Sequence, residues 1–173
     1  MSKSKGKTNK VDKLTVTLSV IFAVVFVVMI IAVFSPAQTQ KSTFTPPPFD
    51  ASAVTGTPDV PKELGYSAPF KEGMSYRFAV CGNVTMEGKQ ALVYFTNSTE
   101  NNTWIKLRVF DAEDNKLGET GLIKPGEYVK YVKLNKNLPT GTNIKLKIMG
   151  YEPETYLSAG SAILNTAIGG AKN

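Results

Sequence analysis

A chain of 173 residues has room for one modest domain and additional segments. Histidine is absent, which removes the usual general base near neutral pH and the commonest transition-metal ligand, so we expect no enzyme activity and no cofactor. The net charge is +6, of which the five lysines and Asp12 of residues 1–13 supply +4. The remaining +2 is spread over the rest of the chain, whereas a nucleic-acid partner would require a basic stripe on the folded part, and none is predicted.

Residues 14–34 contain no charged side chain and predict a transmembrane helix in contact with membrane lipid. Twenty-one residues at 1.5 Å each cover about 31 Å, close to the ~30 Å hydrocarbon core of a bilayer. The lysines of residues 1–13 precede this stretch, and the first cation after it is Lys41. Because positive charge stays inside, the sequence predicts a cytoplasmic tail over residues 1–13 and a single-pass cell-membrane protein whose C-terminal domain is extracellular.

A cleaved signal peptide is the alternative interpretation of the same stretch. Ser35 and Ala37 place small residues at the −3 and −1 positions of a cleavage site after Ala37. The apolar region of a signal peptide is typically about 7–15 residues long, and this one is longer, which favours an uncleaved anchor. The sequence leaves cleavage after Ala37 open, and both interpretations export the C-terminal part.

Prolines dominate residues 35–70, where neither helical nor strand periodicity is present. The three consecutive prolines 46–48 favour extended polyproline II, which cannot pair as a central strand. The composition therefore predicts a semi-rigid extracytoplasmic linker between the membrane and the outer domain, of which a short part, residues 62–66, packs on the domain.

Residues 71–173 show the period-two alternation of half-buried strands. Ile144, Leu146 and Ile148 alternate with lysines, and Ile105, Leu107 and Val109 alternate with Lys106 and Arg108. Together with these two runs, the predicted strands number about seven, the others being 76–81, 91–96, 117–122, 128–134 and 161–168.

Turn signals separate the predicted strands. Residues 124–127 read Lys-Pro-Gly-Glu, with proline and glycine where a type II turn requires them, and similar breaks occur at residues 138–141 and 152–154. Short strands with turns between them predict an all-β domain, an antiparallel β-sandwich of the immunoglobulin or fibronectin type.

Two segments, GETGLIKPGEY at residues 118–128 and MGYEPETY at residues 149–156, resemble small cell-envelope proteins of Gram-positive bacteria. In those proteins an anchoring or signal-like N-terminus precedes a β-sandwich domain of unassigned role. The resemblance covers about residues 75–168. It implies a bacterial origin and an extracytoplasmic location, and it brings no functional residue with it.

Aromatic residues are the candidate surface-binding residues of the outer domain. Trp104 and Phe110 are out of phase with Ile105, Leu107 and Val109, which predicts that they lie on the outer face of their strand. Cross-strand or core packing is the competing interpretation for aromatic residues in general. The residues selected are Trp104, Phe110, Tyr128, Tyr131 and Tyr156.

Three further groups of side chains carry functional atoms, two sets of carboxylates and one thiol. Asp111, Glu113 and Asp114 have the oxygen ligands that calcium prefers, but their spacing does not match an EF-hand loop, and a solvated turn is the interpretation we favour, with no metal. Glu152 and Glu154 flank a proline in a turn, which is a poor setting for paired carboxylate catalysis. Cys81 has no histidine partner and is predicted to be buried.

The sequence therefore predicts a single-pass, membrane-anchored interaction module with a structural or accessory role in the cell envelope and no catalysis. Its expected partner is another envelope protein. A carbohydrate-binding module for a cell-wall or environmental glycan is the alternative, and it predicts exposed, coplanar aromatic rings.

Overall fold

A computed structural model describes residues 13–34, 44–68 and 75–169. The chain divides into two compact units, Met1–Phe44 and Thr45–Asn173. The first contains the helix α1, Lys13–Phe34, whose side chains from residue 16 to residue 31 are all exposed. Over the described residues, no helix was found that combines the length and the apolar character needed to cross a membrane.

Ten strands form the described part of the second unit, together with a 3-10 turn at Lys62–Leu64. The strands are β1 Val54–Thr55, β2 Tyr66–Ser67, β3 Phe78–Cys81, β4 Thr85–Glu87, β5 Gln90–Asn97, β6 Trp104–Phe110, β7 Lys116–Glu119, β8 Glu127–Lys133, β9 Asn143–Tyr151 and β10 Ser158–Ala167. All named strand pairs are antiparallel. The first sheet has the order β1-β8-β5-β3-β2 with β4 paired to β5, and the second sheet has the order β10-β9-β6-β7.

The core lies between the inner faces of the two sheets. Because side chains alternate between the two faces of a strand, the apolar residues of β6 and β9 face inward and are buried. These residues are Ile105, Leu107 and Val109 of β6 and Ile144, Leu146 and Ile148 of β9. Phe78 and Phe95 of the first sheet face the same core, with ring centroids 6.3 Å apart. The prediction of an all-β, antiparallel, sandwich-like domain is confirmed, and every predicted strand overlaps an observed one.

The N-terminal boundary of the compact unit differs from the boundary that the sequence predicted. Part of the predicted linker, residues 45–68, belongs to the domain: β1 pairs with β8 and β2 pairs with β3. Leu64 is buried in a second, smaller apolar cluster on the outer face of the first sheet. β1 and β2 lie on either side of the prolines at 58 and 61. Each contains two residues, which is too short for period-two alternation to be visible. Residues 35–43 and 69–70 of the predicted linker and residues 1–12 of the predicted cytoplasmic tail lie outside the described residues.

β10 is the longest strand and forms one edge of the second sheet. Residues 161–167 pair with β9 in unbroken register. Among the described residues, no backbone hydrogen bond beyond that pairing involves residues 161–165. β10 contains no charged residue and no proline, and the side chain of Ile163 is 57% exposed.

Candidate binding surfaces

Three aromatic side chains meet at one end of β6. The ring of Phe49 lies 4.8 Å from that of Trp104 at an interplanar angle of 76°, and the ring of Tyr156 lies 5.4 Å from Trp104 at 61°. The Lys124 ammonium lies 4.7 Å from the centroid of the Phe49 ring, within cation–π range. We call Phe49, Trp104, Tyr156 and Lys124 the aromatic corner. Phe49 remains 41% exposed there, so this apolar group is accessible from solvent.

Backbone pairing fixes Phe49 in the aromatic corner. The Leu122 N–H donates to the Pro48 carbonyl, and the Asp50 N–H donates to the Leu122 carbonyl, both at 2.9 Å. Phe49 and Leu122 thereby form an isolated parallel bridge. The Asp50 carboxylate accepts a further hydrogen bond of 2.7 Å from the Gly121 N–H. The segment therefore has a defined backbone position, which limits the freedom of the Phe49 ring.

A strained turn holds Tyr156. Glu154 and Tyr156 have φ of +64° and +57°, a conformation that side chains other than glycine, asparagine and aspartate rarely adopt. The Tyr156 N–H donates to the Glu152 carbonyl at 3.0 Å, and the Glu152 N–H donates to the Leu157 carbonyl at 2.9 Å. These bonds close the connection between β9 and β10 and direct Tyr156 back onto Trp104. Glu152 and Glu154 are exposed in this turn.

The five candidate aromatic residues do not form one site. Trp104 and Tyr156 come together, whereas Phe110 lies six residues farther along β6, about 20 Å away at the other end of the strand. Tyr128 and Tyr131 pack against the apolar cluster on the outer face of the first sheet. Sequence reasoning missed Phe49, because it follows a proline run that was assigned to the linker.

The outer face of the first sheet is largely covered by its own side chains. Tyr131 donates to the Glu87 carboxylate at 3.0 Å, and Tyr66 donates to the Thr96 hydroxyl at 2.7 Å. Lys130 lies 5.1 Å from the ring of Tyr131, and the hydroxyls of Tyr131 and Tyr94 beside it raise the pKa of its ammonium. The phenol groups of Tyr66 and Tyr131 are therefore already paired within the domain.

Cys81 lies beneath this cover. Its side chain is fully buried, as predicted, and burial raises the pKa of the thiol to about 11. A thiol needs its thiolate form to act as a nucleophile, so at neutral pH Cys81 is a packing residue.

The acidic loop between β6 and β7 forms a closed turn. Asp111 accepts hydrogen bonds from the Asn115 and Glu113 N–H groups, at 2.8 and 3.1 Å, and from the Asn115 amide at 3.1 Å. These bonds, that from the Asn115 side chain above all, hold the pKa of Asp111 below its usual value. Asp114 pairs with Lys145 at 2.7 Å. In the described parts of the chain, no three His, Cys, Asp or Glu side chains are grouped so that they could hold a metal ion.

A cluster of charges occupies the outer face of the second sheet. Glu119 of β7 lies 2.8 Å from Arg108, 3.2 Å from Lys106 and 3.4 Å from Lys116. Burial raises the pKa of Glu119, but hydrogen bonds from Arg108 and Lys106 outweigh that effect and hold the pKa below its ordinary value. The Lys106 side chain is nearly buried, so this ion cluster is part of the packing of the face.

The arrangement of strands defines an all-β, sandwich-like protein, with an aromatic corner at one end of β6 and a charged face on the second sheet. Comparisons of this chain with protein-family models, with curated proteins and with solved structures found no significant match.

Proposed function

We propose that this protein is a single-pass, membrane-anchored, extracytoplasmic interaction module with a structural or accessory role in the cell envelope and no catalytic activity. The aromatic corner is the observation on which the contact function rests. Exposed aromatic side chains held in a defined position are typical of the anchors of protein–protein interfaces. Phe49 and Tyr156 are held by backbone pairing and by a strained turn, so little side-chain freedom is lost when a partner binds.

The proposed anchor rests on the sequence. Residues 14–34 are uncharged and follow five lysines, which supports a cytoplasmic N-terminus and an outer domain. The side chains described on α1 are exposed. Apolar residues lie on all sides of the helix and not along one stripe that could face a protein core. Lipid would cover such a surface.

The resemblance to Gram-positive envelope proteins supports another envelope protein as the partner. A non-catalytic role is supported by the protonated, buried Cys81 and by the exposed turn that carries Glu152 and Glu154. General acid catalysis by a carboxyl pair takes place in an enclosed site, and this turn is open to solvent.

The geometry of the rings weighs against the glycan alternative at this corner. A sugar stacks on the flat face of an aromatic ring, and several coplanar rings make a platform for a glycan. Here the interplanar angles are 76° and 61°, so the rings pack edge to face on one another. This arrangement favours contact with a protein surface.

Photocrosslinking in intact cells tests the contact function. A benzoylphenylalanine placed at Phe49 in the full chain is expected to give a discrete adduct with a membrane or envelope protein. The matched control carries the same group at Phe110, which lies on the same face of β6 as Trp104 but far from the aromatic corner. Adducts at neither position, or the same adduct from both, would contradict the proposal. Retention of the chain on isolated cell-wall material that is lost in Trp104→Ala would support the glycan alternative instead.

Protease accessibility tests the anchor separately. In wall-stripped cells, added protease is expected to digest the compact unit and to leave residues 1–13 intact. Protection of the compact unit in intact cells, with digestion after lysis, would show the opposite orientation.

A further inference from the structure

The outward-facing side chains of the second sheet form a regular array of cations. Lys106 and Arg108 of β6 and Lys145 and Lys147 of β9 all point away from the core, because their neighbours in sequence fill it. Arg108 lies directly opposite Lys147 in the register of β6 and β9, and Lys147 lies opposite Ile163 of β10. Every charged residue that these three strands direct outward is therefore positive.

The positive charge of this face exceeds that of the domain. Five cations, the four named above and Lys116 of β7, share two carboxylates, Glu119 and Asp114, which leaves +3. Residues 45–173 contain 14 Lys and Arg against 13 Asp and Glu, a net charge of +1. The remainder of the domain is therefore −2. The net charge of the domain does not reveal that positive charge is concentrated on one face, because this concentration arises from the strand order β10-β9-β6-β7.

The register of β6 and β9 places two cations, Arg108 and Lys147, side by side. Side chains directly opposite on neighbouring strands have Cβ atoms about 4.5–5.5 Å apart, and like charges there are destabilising. Glu119 offsets Arg108 through Nε at 2.8 Å, but no carboxylate of the described residues pairs with Lys147. The terminal guanidinium nitrogens of Arg108 form no other bond there. An anionic group between Arg108 and Lys147 would relieve the repulsion.

A cleft opens at the Lys145 end of this face. Its volume is about 580 Å³, and the outward-facing side chains of Asn143, Lys145 and Asn165 are among its lining residues. Thr166 also lines it from the inner side of the sheet, where its hydroxyl donates to the Gly82 carbonyl at 2.6 Å. The Lys145 ammonium is paired with Asp114, so the exposed amides of Asn143 and Asn165 are the polar groups that a ligand would meet in the cleft. Amide groups suit a ligand rich in hydroxyls.

We propose that the outer face of the second sheet binds an anionic, hydroxyl-rich polymer, a polysaccharide or polyol chain that carries phosphate or carboxylate groups, through Arg108 and Lys147 and through the exposed amides of Asn143 and Asn165. Single-stranded nucleic acid fits less well, since it is held by bases stacked on open aromatic faces, and the rings at the end of this face pack edge to face. The inference goes beyond the proposed function. It depends neither on the membrane anchor nor on a protein partner at the aromatic corner.

Binding of defined polymers to the full chain in neutral detergent micelles tests the proposal. Dextran phosphate carries phosphate groups and polygalacturonate carries carboxylate groups, each on a hydroxyl-rich chain. Unmodified dextran is the uncharged control. A single-stranded DNA oligonucleotide is the competing polyanion. Dextran phosphate, polygalacturonate or both are expected to bind, with affinity that falls as salt rises, and dextran is not. Which of the two binds more tightly identifies the anionic group.

Two matched variants locate the site. Lys147→Gln removes a cation that has no ion pair among the described residues and is expected to weaken polymer binding roughly twofold to fivefold at low salt. Lys133→Gln removes an exposed strand lysine from the first sheet, changes the net charge by the same amount and is expected to leave binding unchanged. Both variants retain residues 1–13, so binding by that basic tail cancels in the comparison. The fluorescence of Trp104, the single tryptophan, verifies that both are folded.

Equal losses in the two variants would overturn the proposal, because binding would then follow net charge alone. Equal binding of dextran and dextran phosphate would overturn it as well. Tighter binding of the DNA oligonucleotide at matched charge concentration, with the same dependence on Lys147, would replace the proposed ligand by nucleic acid.

Discussion

A single buried amide, Asn97, joins three segments of the domain. Its side chain is fully buried at the end of β5. The amide nitrogen donates to the Thr103 carbonyl at 2.8 Å and to the Ile123 carbonyl at 3.0 Å, and the amide oxygen accepts from Asn101 at 2.6 Å. The start of β6 and the segment after β7 are thus tied to the first sheet by one residue, next to the aromatic corner.

Asn97→Ala is expected to lower the free energy of unfolding by about 1–3 kcal/mol. The substitution removes the donor to the Thr103 carbonyl and one of the two donors to the Ile123 carbonyl, which keeps its bond from the Ile105 N–H. Unsatisfied buried polar groups cost that much. Urea unfolding followed by the fluorescence of Trp104 measures it. Asn165→Ala, at an exposed position of β10, is the control, with an expected change within about 0.5 kcal/mol. Equal effects of the two substitutions would show that the Asn97 bonds contribute nothing.

At the residue scale, the sequence predicts what depends on near neighbours. The outward phase of Trp104 and the burial of Cys81 are confirmed, because alternation and residue type determine them. The role of Asn97 could not be predicted, since its partners lie up to 26 residues away. In the sequence it stands in a run of polar residues that is typical of a surface turn.

A glycine with no room for a side chain permits the docking of residues 48–50 beside Leu122. A Cβ on Gly121 would meet the backbone nitrogen and Cα of Asp50 and the carbonyl carbon of Phe49. Backbone atoms cannot rotate away as a side chain can, so the whole segment would have to move. The position of Phe49 in the aromatic corner therefore depends on Gly121, which follows Asp50 by 71 residues.

Gly121→Ala is expected to undock residues 48–50 and to release Phe49 from Trp104. Hydrogen exchange at the Leu122 and Asp50 amides, which form the bridging bonds, should rise at least about tenfold, with a change in Trp104 fluorescence. Gly82→Ala is the matched control, because the nearest atom to its Cβ would be the Gly65 oxygen at an ordinary 3.4 Å. Unchanged exchange in Gly121→Ala would contradict this account of the docking.

At the element scale, the length of a strand decides whether it can be predicted. The runs that became β6 and β9 contain enough residues for alternation to be visible. β1, β2 and β4 contain two or three residues each and pair with strands distant in sequence or across a tight turn. These strands form because they pair with longer strands. Their own residues are too few to show a period-two pattern, and so they were absent from the predicted set.

The whole molecule has a domain that begins earlier than its composition indicates. Val60, Leu64 and Tyr66 cover Cys81, Leu92 and Tyr94 on the outer face of the first sheet. A chain that started at Lys71, the boundary that the sequence predicted, would expose this apolar cluster. A chain that starts at Thr45 would retain it.

The two truncated chains are expected to differ in stability and in thiol reactivity. Loss of the Leu64 contact alone should cost about 2 kcal/mol. Because burial raises the pKa of Cys81 to about 11 in the folded protein, its contribution to stability is complete below the unfolded pKa and is lost as pH rises through 11. In the chain from Lys71 the thiol pKa should return toward its usual value, and iodoacetamide at pH 8.5 should react faster. Equal alkylation rates in the two chains would show that residues 45–70 do not protect Cys81.

At the scale of the molecule, the pattern of apolar residues was sufficient for the fold class but not for the surface. Period-two alternation predicts which residues of one strand share a face. It does not predict which strands lie side by side, so the concentration of cations around Arg108 and Lys147 is visible only in the structure. The membrane anchor and the outer location depend on charge asymmetry in the sequence and remain predictions.

Within the described part of the chain, the outer edge of β10 is unpaired over residues 161–165, and this sets a limit on how closely copies of this protein can be crowded. Its backbone groups form a ready template for another strand, and it has none of the lysines, prolines or bulges with which natural sheets discourage such pairing between residues 161 and 165. A high local concentration would favour pairing between this edge and the same edge of a neighbouring copy. Solubility at high concentration therefore depends on what shields those five residues.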